Sequence, residues 1–136
     1  MRPYSLVLEQ LRSAGLRPTR QRLALAKLLF DGDDRHVTAE LLHGEALQNG
    51  IRVSLATVYN TLHQFTTVGL LSEIVVDSQR SYFDTNISRH HHFYFENSGR
   101  LEDICGEDII VTQMPTLPSG TSLNRVDVVV RVNDAA

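Results

Sequence analysis

Cysteine is almost absent from this chain. Its 136 residues hold one, Cys105, which excludes an intramolecular disulfide framework and a four-cysteine structural zinc. No apolar run approaches bilayer-spanning length, and the N-terminus has no signal-peptide pattern. A cytoplasmic location with no membrane partner is therefore expected. Internal repeats, low-complexity tracts and flexible linkers are missing too. The usual enzyme constellations are also missing: no Ser-His-Asp set, no His-Glu-x-x-His and no Gly-rich phosphate loop. A metal-dependent enzyme would need an open coordination position with a converging acid, base or nucleophile, so an enzyme is the least supported class.

The length allows one domain or two very small ones. At 42% hydrophobic residues a core can form but not a large one, so an oligomer is expected.

The most unusual stretch is Arg89-His90-His91-His92-Phe93-Tyr94-Phe95. It places half of the six histidines on consecutive positions. In a strand, His90 and His92 point one way and His91 the other. Two histidines so placed can grip one metal ion. They cannot easily clamp a haem from both sides, because they start about 7 Å apart on one face. The bland alternative is a solvated strand end.

A net charge of −3 argues against a nucleic-acid partner, but the charge is unevenly placed. Residues 1–27 carry Arg2, Arg12, Arg17, Arg20, Arg22 and Lys27 against Glu9 alone. Residues 83–136 carry four arginines against eight acids. A basic N-terminal end suits local phosphate contact.

Periodicity predicts a helix over residues 4–14, a second capped by Thr19, a third capped by Thr38 and a fourth capped by Ser54. In the fourth, Leu55, Val58, Leu62 and Phe65 form one apolar stripe. The other side shows Ala56, Tyr59, Asn60, His63 and Thr67, a polar, uncharged face suited to a major groove. Strands follow at 71–76 and 81–84, around the turn Asp77-Ser78-Gln79-Arg80. Helices followed by a β-hairpin suggest a winged helix-turn-helix. Residues 90–96, 101–105 and 123–132 read as three further strands. That sheet is too small to bury its own apolar face, and a second copy is expected to cover it.

The stretches Leu16-Arg17-Pro18-Thr19-Arg20-Gln21-Arg22, His36-Val37-Thr38-Ala39-Glu40 and Ser54-Leu55-Ala56-Thr57-Val58-Tyr59 resemble the ferric uptake regulator family in order and spacing. The resemblance implies an α+β chain: a winged helix-turn-helix DNA-binding domain over 1–83, then a small α/β dimerisation domain with a three-stranded sheet over 84–136. It implies a cytoplasmic, metal-responsive homodimer on a two-fold symmetric double-stranded operator. The family's interdomain metal site falls on His36, Asp84, His90, His92 and Asp103, with Glu102 as the rival of Asp103. Such ligands suit Fe, Mn or Zn. For DNA the expected residues are Tyr59 and Asn60 on the reading helix, Arg17 before the second helix, and Arg20, Gln64 and Arg80 at phosphates.

Departures from the family pattern point further. Phe95 and Ser98 stand where many members carry a Cys-x-x-Cys zinc motif, the C-terminal cysteine pair is absent, and no histidine follows His92. With the triple histidine and the ending Asn124-Arg125-Val126-Asp127-Val128-Val129-Val130-Arg131, the chain is similar to the iron response regulator (Irr) branch. That likeness implies haem as regulatory ligand, through His90, His91 or His92, with Phe93, Tyr94 and Phe95 as apolar contacts. It implies control of iron homeostasis and haem synthesis. The alternative within regulators is a repressor sensing a divalent metal directly, or peroxide through bound iron. Of the remaining residues, His43 is expected at the surface or an interface, His63 on the reading face, and Cys105 buried as a small apolar residue.

Overall fold

The computed structural model describes residues 5–88 and 90–135. Arg2 and Arg89, named above in the basic end and the histidine run, lie outside them, as does residue 4, where the first helix was expected to begin. The chain divides into two units after Ile87, slightly beyond the expected border at 83.

The first unit contains α1 (Ser5–Ser13), α2 (Arg20–Phe30), β1 (His36–Val37), α3 (Ala39–Gln48), α4 (Leu55–Thr67), β2 (Ser72–Asp77) and β3 (Arg80–Asp84). The caps follow local chemistry. Thr19, Thr38 and Ser54 each sit in extended backbone and accept from the N–H three residues on, satisfying one orphan donor of α2, α3 and α4. Gly69 follows α4 with φ +85°, a left-handed turn that L side chains resist.

Leu11, Leu25, Leu29, Leu42, Val58, Leu62, Phe65 and Phe83 are buried in one core. Truncating one of these leucines to alanine should cost about 2–5 kcal/mol. The expected stripe of α4 holds at Val58, Leu62 and Phe65 but not at Leu55, which is 36% exposed. Leu55 is the first residue of α4, and Thr61 takes the additional buried place.

The hairpin β2–β3 is antiparallel, as expected for a wing. The two-residue strand β1 was not expected. It pairs with β3 to give the order β1-β3-β2, and so takes His36 out of a loop.

The second unit holds β4 (His91–Phe95), β5 (Arg100–Ile104), a 3-10 turn at Gly106–Asp108, and β6 (Val129–Val132). The order is β5-β4-β6, with β4 antiparallel to β5 and parallel to β6. The last strand is thus shorter than the expected 123–132. Alternation continues upstream, but a strand needs an edge to pair with, and β4 offers one only from His91 onward. Tyr94, Leu101 and Ile104 are buried, whereas Ile110, Val111, Met114, Leu117, Leu123 and Val126 are exposed. Cys105 is exposed, not buried, because it lies just past the end of β5. The fold is α+β: a winged helix-turn-helix unit followed by a small α/β unit built on a three-stranded sheet.

Candidate functional site

Each unit carries its own set of metal-ligating side chains. In the first, β1 and β3 place His36 directly opposite Asp84. The His36 Nε2 lies 3.2 Å from Asp84 Oδ2, and the carboxylate is 1% exposed. A buried carboxylate needs a cation or hydrogen bonds to be tolerated. Asn86 N–H donates to its other oxygen at 2.9 Å.

The strand carrying His36 is pinned just upstream. Arg35 N–H donates to Thr85 Oγ1 at 2.8 Å, and Thr85 N–H donates to the Arg35 carbonyl at 3.1 Å. The Arg35 guanidinium reaches Glu45 of α3 at 2.9 Å and the Leu28 carbonyl at 3.3 Å. Position and orientation of His36 are therefore set by α2, α3 and β3 together.

In the second unit, His90 precedes β4 and His92 lies within it. Their ring centroids are 4.6 Å apart. Both Nε2 atoms face one oxygen of Asp103, at 3.1 and 3.3 Å. The far nitrogen of His90, Nδ1, is 2.7 Å from the Ser88 carbonyl, which can only accept, so Nδ1 carries a proton. A neutral ring then presents a bare Nε2 lone pair to a carboxylate oxygen. A cation belongs between them, either a proton or a metal. An imidazole held by a backbone carbonyl on its remote nitrogen is the usual support of a metal ligand. The donor set therefore fits a divalent ion.

Register also separates Asp103 from its rival. Asp103 pairs with His92, while Glu102 pairs with Phe93, so Glu102 turns to the other face, where Arg100 lies 3.7 Å from it.

His91 points away from His92 and has a different task. Its Nδ1 accepts the Val128 N–H at 3.0 Å, tying β6 to β4. Tyr94 is buried and offers no open face to a macrocycle, and the Arg100 guanidinium covers the Phe95 ring at 3.9 Å.

On α4, Asn60, His63, Gln64 and Thr67 are exposed and Tyr59 is half-buried. Tyr59 stacks on His63 at 6.1 Å, and His63 meets Phe83 edge-on at 5.5 Å, so the wing's core residue backs this face of α4. Arg17 and Arg20 are exposed before and at the start of α2. Exposed Arg80, at the wing turn, lies 3.7 Å from Asp77. Gln64 is already engaged, accepting from Arg22 at 2.9 Å. His43 is half-buried, and its Nε2 contacts the Val53 carbonyl at 3.0 Å, so it joins α3 to the approach of α4. Arg22, Arg35 and Glu45 escaped sequence reasoning, because partners up to 42 residues apart leave no local signal.

Comparison with known proteins agrees with this fold. Residues 13–131 match the model of the ferric uptake regulator family. The ferric uptake regulation protein of Legionella pneumophila is 34% identical over 102 residues, covering 74% of this chain and 75% of that protein. The peroxide-responsive repressor PerR of Staphylococcus aureus is 33% identical over 93 residues, 68% of this chain and 62% of that one. Among solved structures, the ferric uptake regulator from Pseudomonas aeruginosa with manganese gives a TM-score of 0.71 at 27% identity, covering 94% of this chain and 97% of that one. The Vibrio cholerae ferric uptake regulator gives 0.73 at 21% identity, over 94% and 99%, a likeness of fold. The chain belongs to the ferric uptake regulator family, whose members are transcription regulators and not enzymes.

Proposed function

We propose that this chain is a cytoplasmic, homodimeric DNA-binding transcription regulator of iron homeostasis and haem synthesis that responds to metal and haem. His36 and Asp84 from the first unit, with His90, His92 and Asp103 from the second, bind one divalent ion, Fe, Mn or Zn. Each of the five offers one ligand atom. Three imidazoles and two carboxylates match the preferences of a first-row cation. The carrying observation is the pair of imidazole nitrogens aimed at one Asp103 oxygen, with the remote nitrogen of His90 held by a carbonyl. The ion fixes the angle at which each protomer presents α4. Tyr59 and Asn60 reach bases, while Arg17, Arg20, Gln64 and Arg80 serve the backbone of a two-fold symmetric duplex. The exposed apolar residues between Ile110 and Val126 supply the dimer surface.

In the Irr-like form of this reading, haem competes for the imidazole of His90 or His92. Loss of those ligands from the ion changes the spacing of the two reading helices and releases DNA. Direct sensing of a divalent metal, or of peroxide through bound iron, is the second reading. It is favoured by the engagement of His91 with Val128 and the burial of Tyr94, which leave haem fewer contacts.

The test is retention of a duplex selected from a random pool, by chelator-treated protein supplied with Mn(II), Fe(II) or Zn(II), then with haem. Metal-dependent retention reversed by haem supports the first reading. Metal-dependent retention that ignores haem selects the second. Retention of no duplex in any state refutes both.

A further inference from the structure

Arg22 lies in the first turn of α2, half-buried, between Arg17 and Gln64 of the proposed DNA-reading face. Its guanidinium spans two separate parts of that face. Nη1 donates to the Arg17 carbonyl at 2.8 Å. Nε and Nη2 both donate to Gln64 Oε1, at 3.3 and 2.9 Å. The neighbouring Gln21 donates through Nε2 to the Arg52 carbonyl at 3.2 Å, just before the Ser54 cap of α4. One turn of α2 thus holds α4 near its start and again at Gln64, and also holds the loop carrying Arg17.

We infer that Arg22 is a positioning residue for DNA reading, which sets the distance between Arg17 and α4 and turns Gln64 into an obligate hydrogen-bond donor. The inference rests on the DNA-binding reading above. Its chemistry is directional. A guanidinium has donors only, so the Gln64 amide must turn its oxygen toward Arg22. What remains to present outward is the Nε2 amide NH2, a donor only. Gln64 lies one helical turn beyond Asn60 and shares its side of α4. An amide NH2 there recognises acceptors: a phosphate oxygen or the acceptor edge of a base. Arg22 itself, with three of its donor directions spent on the protein, is not the phosphate contact.

The measurement is affinity of the full-length chain for its selected duplex across a salt series, with thermal melting of each variant. Arg22→Met should weaken binding about tenfold, one step of ~1.4 kcal/mol. The slope of log affinity against log salt should stay unchanged. Arg20→Met, a phosphate candidate, should lower that slope by about 0.9 per protomer. Gln64→Leu should weaken binding, and Arg22→Met combined with Gln64→Leu should be less than additive. Gln64→Glu keeps an acceptor for Arg22 but removes the outward donor. It should lose affinity without losing melting temperature.

A slope for Arg22→Met that falls as for a phosphate contact overturns the inference, as does wild-type affinity in that variant. If Arg22→Met does not fold, the exposed Gln64 variants decide alone: wild-type affinity in Gln64→Glu refutes the donor assignment. A wild-type chain that retains no duplex removes the DNA-binding reading and this inference with it.

Discussion

His92 stands directly opposite Asp103 in the β4–β5 ladder, its Nε2 3.3 Å from the carboxylate. Glu102, one residue earlier, faces Phe93 instead. A strand alternates faces, so the ladder itself decides which of the two adjacent acids lies beside His90 and His92.

Substitution of the two acids should therefore give opposite results. Asp103→Asn is expected to weaken Mn(II) binding by at least about tenfold, the loss typical when a metal site's supporting groups are removed. Glu102→Gln should leave it unchanged. Calorimetric titration of both variants checks this. Equal losses would mean that the ion is held elsewhere.

Chelation should not unfold the chain. With a single exposed cysteine, Cys105, a four-cysteine zinc staple is excluded, and neither unit is expected to need its metal to fold, unlike a domain whose folding depends on it. A ligand present at a hundred times its Kd adds only about 2.7 kcal/mol. Excess EDTA should lower the melting temperature by several degrees and leave the helical circular dichroism intact at room temperature.

The three adjacent histidines should separate by function. His91→Ala removes the acceptor for the Val128 N–H and should cost about 0.5–1.5 kcal/mol of stability, seen in denaturant unfolding. His90→Ala and His92→Ala should abolish the effect of haem on DNA retention. If haem still releases DNA from the variant lacking all three imidazoles, with the same dose dependence, the haem reading fails.

Arg17→Ala should weaken binding to every duplex alike and lower the salt slope by about 0.9 per phosphate lost. Unchanged binding at all salt concentrations would remove Arg17 from the interface.

A chain truncated after Ile87 should sediment as a monomer, since it lacks the exposed apolar residues from Ile110 to Val126. It should remain folded, because Thr85 and its bonds to Arg35 are retained. A dimeric truncation would place the subunit contact in the first unit.

What could be read from the sequence was what is encoded locally. Thr19, Thr38 and Ser54 announce α2, α3 and α4 because an N-cap acts within three residues of itself. Two of the three histidines proposed as metal ligands lie in one short run. β1 was missed because His36-Val37 is too short to show a period. The final strand was read too long because alternation reports a preference, while a strand also requires a neighbour. Arg22 with Gln64, and Arg35 with Glu45, are tertiary pairs and carry no signature in the local pattern.

The short strand β1 also constrains how the chain can vary. His36 faces Asp84, Val37 faces Phe83, and the next residue, Thr38, already caps α3. The proposed ligand, the ladder residue and the cap are consecutive, with no spare residue among them. A single insertion or deletion here would either slip the histidine to the wrong face or uncap the helix. Relatives that keep this histidine and carboxylate pair should therefore show no length variation between histidine and cap, whereas the irregular stretch from Ile109 to Val128 can lengthen or shorten freely wherever it avoids the proposed subunit contact.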